Sequence, residues 1–239
     1  MTGKDDAQED EAAAPFAPGR RLRRSDWLDL GLRELAANGP GKIGIERLCR
    51  VAGRTRGSFY HHFEDHDAFI DAMLRRWADR QTLSVLAEVE AAPPEERSGM
   101  LVLASLKMDH RLDGALRAYA RTHAGAAARL AEVDAARIAY LERLHRDLHK
   151  VPRGAARALA RLEYAAFIGG LVVWPEGDAV QHQVQANRFQ RLVRLAVAAD
   201  LTFDVEEREA PKTSRPGARD DMRIEDLVAA ALRAQEGKG

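Results

Sequence analysis

Apolar positions recur with a period near 3.6 along most of the chain, and that period predicts helices. Leu28, Gly31, Leu32 and Leu35 fall at i, i+3, i+4 and i+7, one face of a helix over about 26–37. Ser25 is available to cap its start and Asn38-Gly39 to stop it. Ile45, Leu48, Cys49 and Ala52 repeat the spacing on a short helix ended by Gly53. A second short helix is expected from Thr55 or Arg56 to Phe63, and Phe69, Ile70, Met73, Leu74 and Trp77 mark a longer one. Further helices fit 96–108, 110–122, 134–150, 154–174 and 181–200, with Pro40, Pro93, Pro94, Pro152 and Pro175 in the breaks. No run alternates with period two, so the expected fold is all-α. It comprises an N-terminal three-helix domain and a larger C-terminal helical domain.

Composition refines this picture at the ends of the chain. Of 239 residues, 46% are apolar and 31% charged, enough for a sizeable core. Residues 1–19 are acidic and Ala-Pro-rich, which predicts a disordered arm and no secretory signal. Domains are expected at 20–66 and 67–203, followed by a polar linker over 204–221. Beyond it Ile224, Leu227, Val228, Ala231 and Leu232 define an amphipathic helix over 222–236. The longest run without polar side chains, 165–174, is too short to span a bilayer, so no membrane partner is expected. Cys49 is the one cysteine, which excludes an intramolecular disulfide or a multi-cysteine zinc site. On its apolar helix face it reads as a small core residue. The expected setting is cytoplasmic and nucleoid-associated.

The chain is neutral overall, with 37 Lys+Arg against 37 Asp+Glu. Its local balance is not. Residues 20–66 hold ten basic residues and six acidic ones, a concentration suited to a polyanion. Within that stretch two short helices meet at Ala52-Gly53-Arg54, which is helix-turn-helix spacing. The second helix of such a pair can enter the ~12 Å major groove of DNA. Its leading edge is small, polar and cationic (Thr55, Arg56, Gly57, Ser58, Tyr60, His61), while Phe59 and Phe63 would face inward.

The run Leu48-Cys49-Arg50-Val51-Ala52-Gly53-Arg54-Thr55-Arg56-Gly57-Ser58-Phe59-Tyr60-His61-His62-Phe63, followed by Glu64-Asp65-His66-Asp67-Ala68-Phe69, resembles the tetracycline-repressor (TetR) family of bacterial transcription regulators. Leu112-Asp113-Gly114-Ala115-Leu116-Arg117 is similar to family sequence at the start of a regulatory-domain helix. The resemblance implies a homodimeric repressor that binds a palindromic double-stranded DNA operator and is released by a small-molecule effector. It places Arg56 and His61 near base edges or phosphates, and Thr55, Ser58 and Tyr60 as phosphate donors. Gly57 would permit close backbone approach, and Arg24, with Arg20, Arg21 and Arg23, would act as a mobile arm reaching phosphate or the minor groove. Three positions depart from the family pattern. Gly44 replaces a capping Thr. His66 replaces a phosphate-binding Lys and would make binding pH-sensitive. Glu46 can accept only from a cytosine amine and repels phosphate.

For the second domain the resemblance implies an effector pocket, for which Met73, Trp77, Met100, Met108, Tyr119, Tyr140 and Tyr164 are candidates. His110 or His123 are possible polar anchors, although each residue alone also suits ordinary core. Leu159, Leu162, Ala166, Gly169, Gly170 and Val173, with Phe189, Leu192, Val193 and Ala196, form two stripes suited to a dimer interface. His145 and His149 are spaced as a metal pair could be. No third ligand accompanies them, so they read as exposed surface residues. No cofactor or metal is called for. Two other readings stay open. One is a helical scaffold whose tail recruits a partner. The other is an enzyme with a helical pocket, although the sequence contains no nucleophile elbow, phosphate loop or paired acid and base.

Overall fold

The computed structural model describes residue 16 and residues 20–174 and 179–199, and among these no strand occurs. The helices are α1 (Arg24–Asn38), α2 (Ile45–Ala52), α3 (Arg56–Tyr60), α4 (His66–Ala78), α5 (Ser84–Glu90), α6 (Arg97–Leu106), α7 (His110–Ala120), α8 (Ala124–His149), α9 (Arg153–Val173) and α10 (Ala179–Ala198). The fold is therefore all-α as expected. The arm at 1–19 (save residue 16), the linker over 204–221 and the helix over 222–236 lie outside the described residues. No described helix is long and apolar enough to cross a membrane.

Three local expectations are corrected. Helix α1 starts after Arg23 rather than Ser25, because the Asp26 carboxylate accepts from the Arg23 backbone N–H at 2.8 Å and closes the first turn earlier. Helix α8 begins at Ala124, well before 134. Its first turns are alanine-rich, so helix propensity holds them where apolar periodicity is weak. Helix α5, absent from the pattern, follows a π-helical turn at Asp79–Leu83 that shifts the apolar face and hides its period.

The chain divides into two compact units. One holds the described residues up to Trp77 together with Arg111–Leu130, and the other holds Ala78–His110 and the described residues from Ala131. The first unit is built on aromatic rings. Phe59 of α3 lies 5.4 Å from Trp27 of α1, 5.1 Å from Phe63 and 5.3 Å from Phe69 of α4. Phe63 and Phe69 close the cluster edge-on at 5.0 Å. Such pairs add about 0.5–1.5 kcal/mol each beyond the area they bury. Gly31 lets α1 approach α4, since a Cβ there would stand 2.6 Å from Phe69 Cζ and 2.7 Å from Met73 Sδ. A bidentate pair, Arg76 to Asp29 at 2.7 and 2.9 Å, joins the same two helices.

The second unit has two smaller core clusters, Leu86 with Val89 and Tyr140, and Leu141 with Ala160 and Tyr164. Glu90 joins its elements, accepting from Arg143 at 2.6 Å and pairing with Arg97 at 3.2 Å.

Candidate nucleic-acid interface

The turn between α2 and α3 follows from three residues. Gly53 adopts the left-handed conformation (φ 62°, ψ 40°), which costs a glycine little and stops α2. The Gly53 N–H then bonds the Arg50 carbonyl at 3.0 Å, and the Arg54 N–H the Cys49 carbonyl at 2.9 Å. Thr55, extended at ψ 160°, caps α3 by accepting from the Ser58 N–H. Its hydroxyl keeps a proton to donate outward. Because Gly44 brings no side chain to the start of α2, that helix has no side-chain cap, as the missing Thr implied.

Phe59 roots α3 in the aromatic cluster, so its opposite face is presented to solvent. Arg56 (62% exposed), Tyr60 (51%), Thr55, Gly57 and His61 all lie on the exposed side, and Ser58 is half-buried. A Cβ on Gly57 would meet nothing closer than Thr55 Oγ1 at 3.8 Å. Nothing inside the protein therefore demands glycine there, whereas a surface approaching α3 from outside would.

The charges around α3 are paired. Arg56 donates to Glu46 of α2, itself 72% exposed, so the acid flagged as repelling phosphate instead neutralises and orients this arginine. Arg21 Nη2 lies 2.8 Å from His61 Nε2. A guanidinium only donates, so that ring nitrogen accepts in this contact.

The expectation of a mobile arm at 20–24 is corrected. Besides the Arg21–His61 bond, Arg54 donates to the Arg20 carbonyl at 2.7 Å and His62 bonds the Leu22 carbonyl at 3.0 Å. Leu22 is buried, and the Arg24 guanidinium lies 4.9 Å over the Phe63 ring. These contacts fix the segment beside the end of α3. His66 opens α4 half-buried, with Nε2 bonded to the Ile43 carbonyl at 3.0 Å. Burial pushes the Cys49 thiol up, with Arg56 working against it, as suits a core residue rather than a nucleophile.

The second unit holds a partly open cavity of about 140 Å³ among the π-turn, α5, α6 with Met108 after it, α8, α9 and α10. Of the predicted pocket residues, Met108, Tyr140 and Tyr164 line it. Met100 packs on the Leu86 cluster outside the lining. Met73, Trp77, Tyr119 and His123 belong to the first unit and do not line this cavity. Met73 and Trp77 are core, Tyr119 stacks on His123 at 4.8 Å, and His123 Nδ1 accepts from the Ala126 N–H. His110 packs edge-on against Phe167, 5.9 Å away. The reading of His145 as exposed is also corrected. It is 3% exposed, lines the cavity and bonds Glu163 at 2.8 Å. His149 stacks on it at 5.5 Å. The described residues contain no cluster of three or more candidate metal ligands. Burial pushes Tyr164 up to about 12 against the pull of Arg137, with Asp134 adding to the rise.

The predicted dimer stripes divide. Leu159, Gly170 and Val193 are buried in their own unit, whereas Leu162, Val173 and Leu192 are exposed. They share α9 and α10 with exposed Val172, Val180, Val184 and Leu195, and exposed Trp174 follows directly on α9.

No family model matches the chain. Over 81 residues it is 32% identical to the HTH-type transcriptional repressor Rv1474c of Mycobacterium tuberculosis, a match covering 30% of this chain and 43% of that protein. The chain thus spans under half the length of this curated relative. Among solved structures, a regulator described as a TetR/AcrR family member matches with a TM-score of 0.60 at 17% identity, over 73% of this chain and 97% of its own. A TetR-family regulator from Rhodococcus sp. matches with a TM-score of 0.58 at 18% identity, over 71% and 97%. At these identities the likeness is one of fold, and the fold is that of the TetR/AcrR regulators.

Proposed function

We propose that the protein is a homodimeric, sequence-specific DNA-binding transcription regulator, acting as a repressor, that releases its operator when a small molecule occupies the second unit. The reading rests on α3, whose inner residue Phe59 is locked among rings while Arg56, Tyr60 and His61 stand outward beside the basic segment 20–24. A rigid helix presenting donors and cations is what major-groove reading requires. The exposed apolar residues of α9 and α10 support pairing of two copies. Two reading heads would then meet half-sites about 34–36 Å apart. The π-turn carries Gln81 and Thr82 of the cavity lining and follows α4 without a break. An occupant touching them would bias α4 and so the placement of α3.

Selection of bound duplexes from a random pool at stated salt tests this, with the Arg56→Ala/Tyr60→Ala double variant as control. The expected result is a palindromic site recovered by the wild type alone. Equal recovery by both proteins, or no enrichment at salt low enough for non-specific binding, overturns the reading.

A further inference from the structure

The cavity lies in the second unit alone, and its wall is chemically one-sided. Leu101, Met108, Leu141, Leu144, Phe167 and Phe189 are among the apolar side chains that face the void, and the lining is mostly apolar. Polar side chains are also present, and most of them pair with a protein partner, whereas the buried Tyr140 hydroxyl makes no hydrogen bond. Glu163 holds His145 Nε2 on one carboxylate oxygen and Gln190 Nε2 on the other, both at 2.8 Å. Arg137 donates to Thr82 Oγ1 at 3.1 Å, and to the Gln81 carbonyl and the Tyr164 hydroxyl at 3.3 Å. Tyr164 donates to Asp134 at 2.5 Å. Gln185 donates to the Ala166 carbonyl at 3.2 Å and Ser105 to the Val102 carbonyl at 2.7 Å.

Charge on the wall is balanced as well as paired. Arg137 is cationic and Glu163 anionic, and the partner of Glu163 is a histidine that can share its proton. An ionised guest would have to break one of these pairs or be buried without a counter-charge, and both cost heavily. A neutral apolar guest only displaces solvent or fills empty space against carbon. Size narrows the class further. A cavity of about 150 Å³ lined by aliphatic and aromatic groups holds benzene, and this one measures about 140 Å³.

We infer that the cavity takes a neutral, apolar molecule of one or two rings and discriminates against charged molecules of the same size. This deepens the effector half of the function proposed above and rests on it for its regulatory meaning, whereas binding itself can be measured without DNA.

The test titrates the full-length protein with toluene and naphthalene, and separately with benzoate and benzylammonium, following heat of binding and the thermal unfolding midpoint. Toluene or naphthalene is expected to bind saturably and raise the midpoint, with the charged probes at least about tenfold weaker. Ala186→Phe, which fills the void from α10, is expected to abolish uptake. Leu101→Phe on α6 gives the same reading should the first variant fail to fold. Failure of every neutral probe, equal or tighter binding of a charged one, or undiminished uptake by a folded filled variant overturns the inference. Recovery of a palindromic duplex alongside such a failure would leave the regulator intact and remove only the ligand class.

Discussion

In the unit that carries α3, neighbouring rings meet at 5.0–5.4 Å and one added carbon at Gly31 would collide at 2.6 Å. The unit holding α5, α6, α9 and α10 instead leaves a partly open space of about 140 Å³ among its helices. The tasks proposed for the two units account for this difference. A helix that reads a groove must hold its side chains within a fraction of an ångström, so its root is packed without slack. A unit that admits a small molecule needs space that its own side chains decline to fill, with most of its polar groups paired so that the space does not collapse onto them.

Substitutions can break this comparison, and the largest effect is expected at Phe59. Phe59→Ala removes the ring on which Trp27, Phe63 and Phe69 converge, and should cost about 3–5 kcal/mol. Hydrogen exchange of the α1 and α4 amides would report the loss, and exchange in α9 should be unchanged. A loss under about 1 kcal/mol would mean that α3 is not rooted as described.

Adding carbon sharpens the contrast, because the two units should respond with opposite sign. Gly31→Ala gains up to about 1 kcal/mol of helix propensity. It also forces a fully buried phenyl ring and thioether to move, an overpacking cost of about 1–3 kcal/mol. The net change should be destabilising. Ala186→Leu, on the cavity wall, adds methylene groups where space exists and should be neutral or stabilising by about 1 kcal/mol. Denaturant midpoints for the two variants, read by local exchange, would contradict the comparison if both moved the same way.

Gly57→Ala separates folding from reading. The added methyl meets only Thr55 Oγ1 at 3.8 Å, so stability should hold or rise by up to about 1 kcal/mol. Binding to the selected duplex should nevertheless fall at least about tenfold, a loss of about 1.4 kcal/mol. Undiminished affinity would remove α3 from the contact surface.

The smallest effect is acid sensitivity in the second unit. Burial holds His149 below the ordinary histidine value of 6.5, with His145 and Arg194 adding to the depression and Glu163 opposing it. The unfolded chain therefore takes up this proton more readily, so the contribution to stability is complete above pH 6.5 and declines as pH falls below it. His149→Gln should shrink the drop in unfolding midpoint between pH 7.5 and 5.5. An unchanged drop would place the acid sensitivity elsewhere.

Much of the first unit was legible because its determinants are local. The four-residue spacing of Phe59 and Phe63, the stop at Gly53 and the polar edge of α3 all sit within one stretch of chain. What escaped depends on residues far apart in sequence. Nothing about Arg21 or His61 announces a bond across forty positions, and the Glu46–Arg56 pair emerges only once the turn has brought α2 and α3 together. The cavity was harder still. Its lining comes from five helices, the π-turn and Met108 in the loop after α6, so composition suggested aromatic residues generically and drew in Tyr119 and Trp77, which the first unit buries. His145 looked exposed because a histidine pair within a polar run carries no mark of the Glu163 that holds it on the next helix.

Hydrogen exchange of the full chain with and without its selected duplex tests the division of labour most directly. The account predicts slowed exchange at 20–24 and across α2, the turn and α3, with the cavity helices α6 and α10 unprotected. Slowing confined to residues 78–110 or 131–199, with none in α2 or α3, would contradict it.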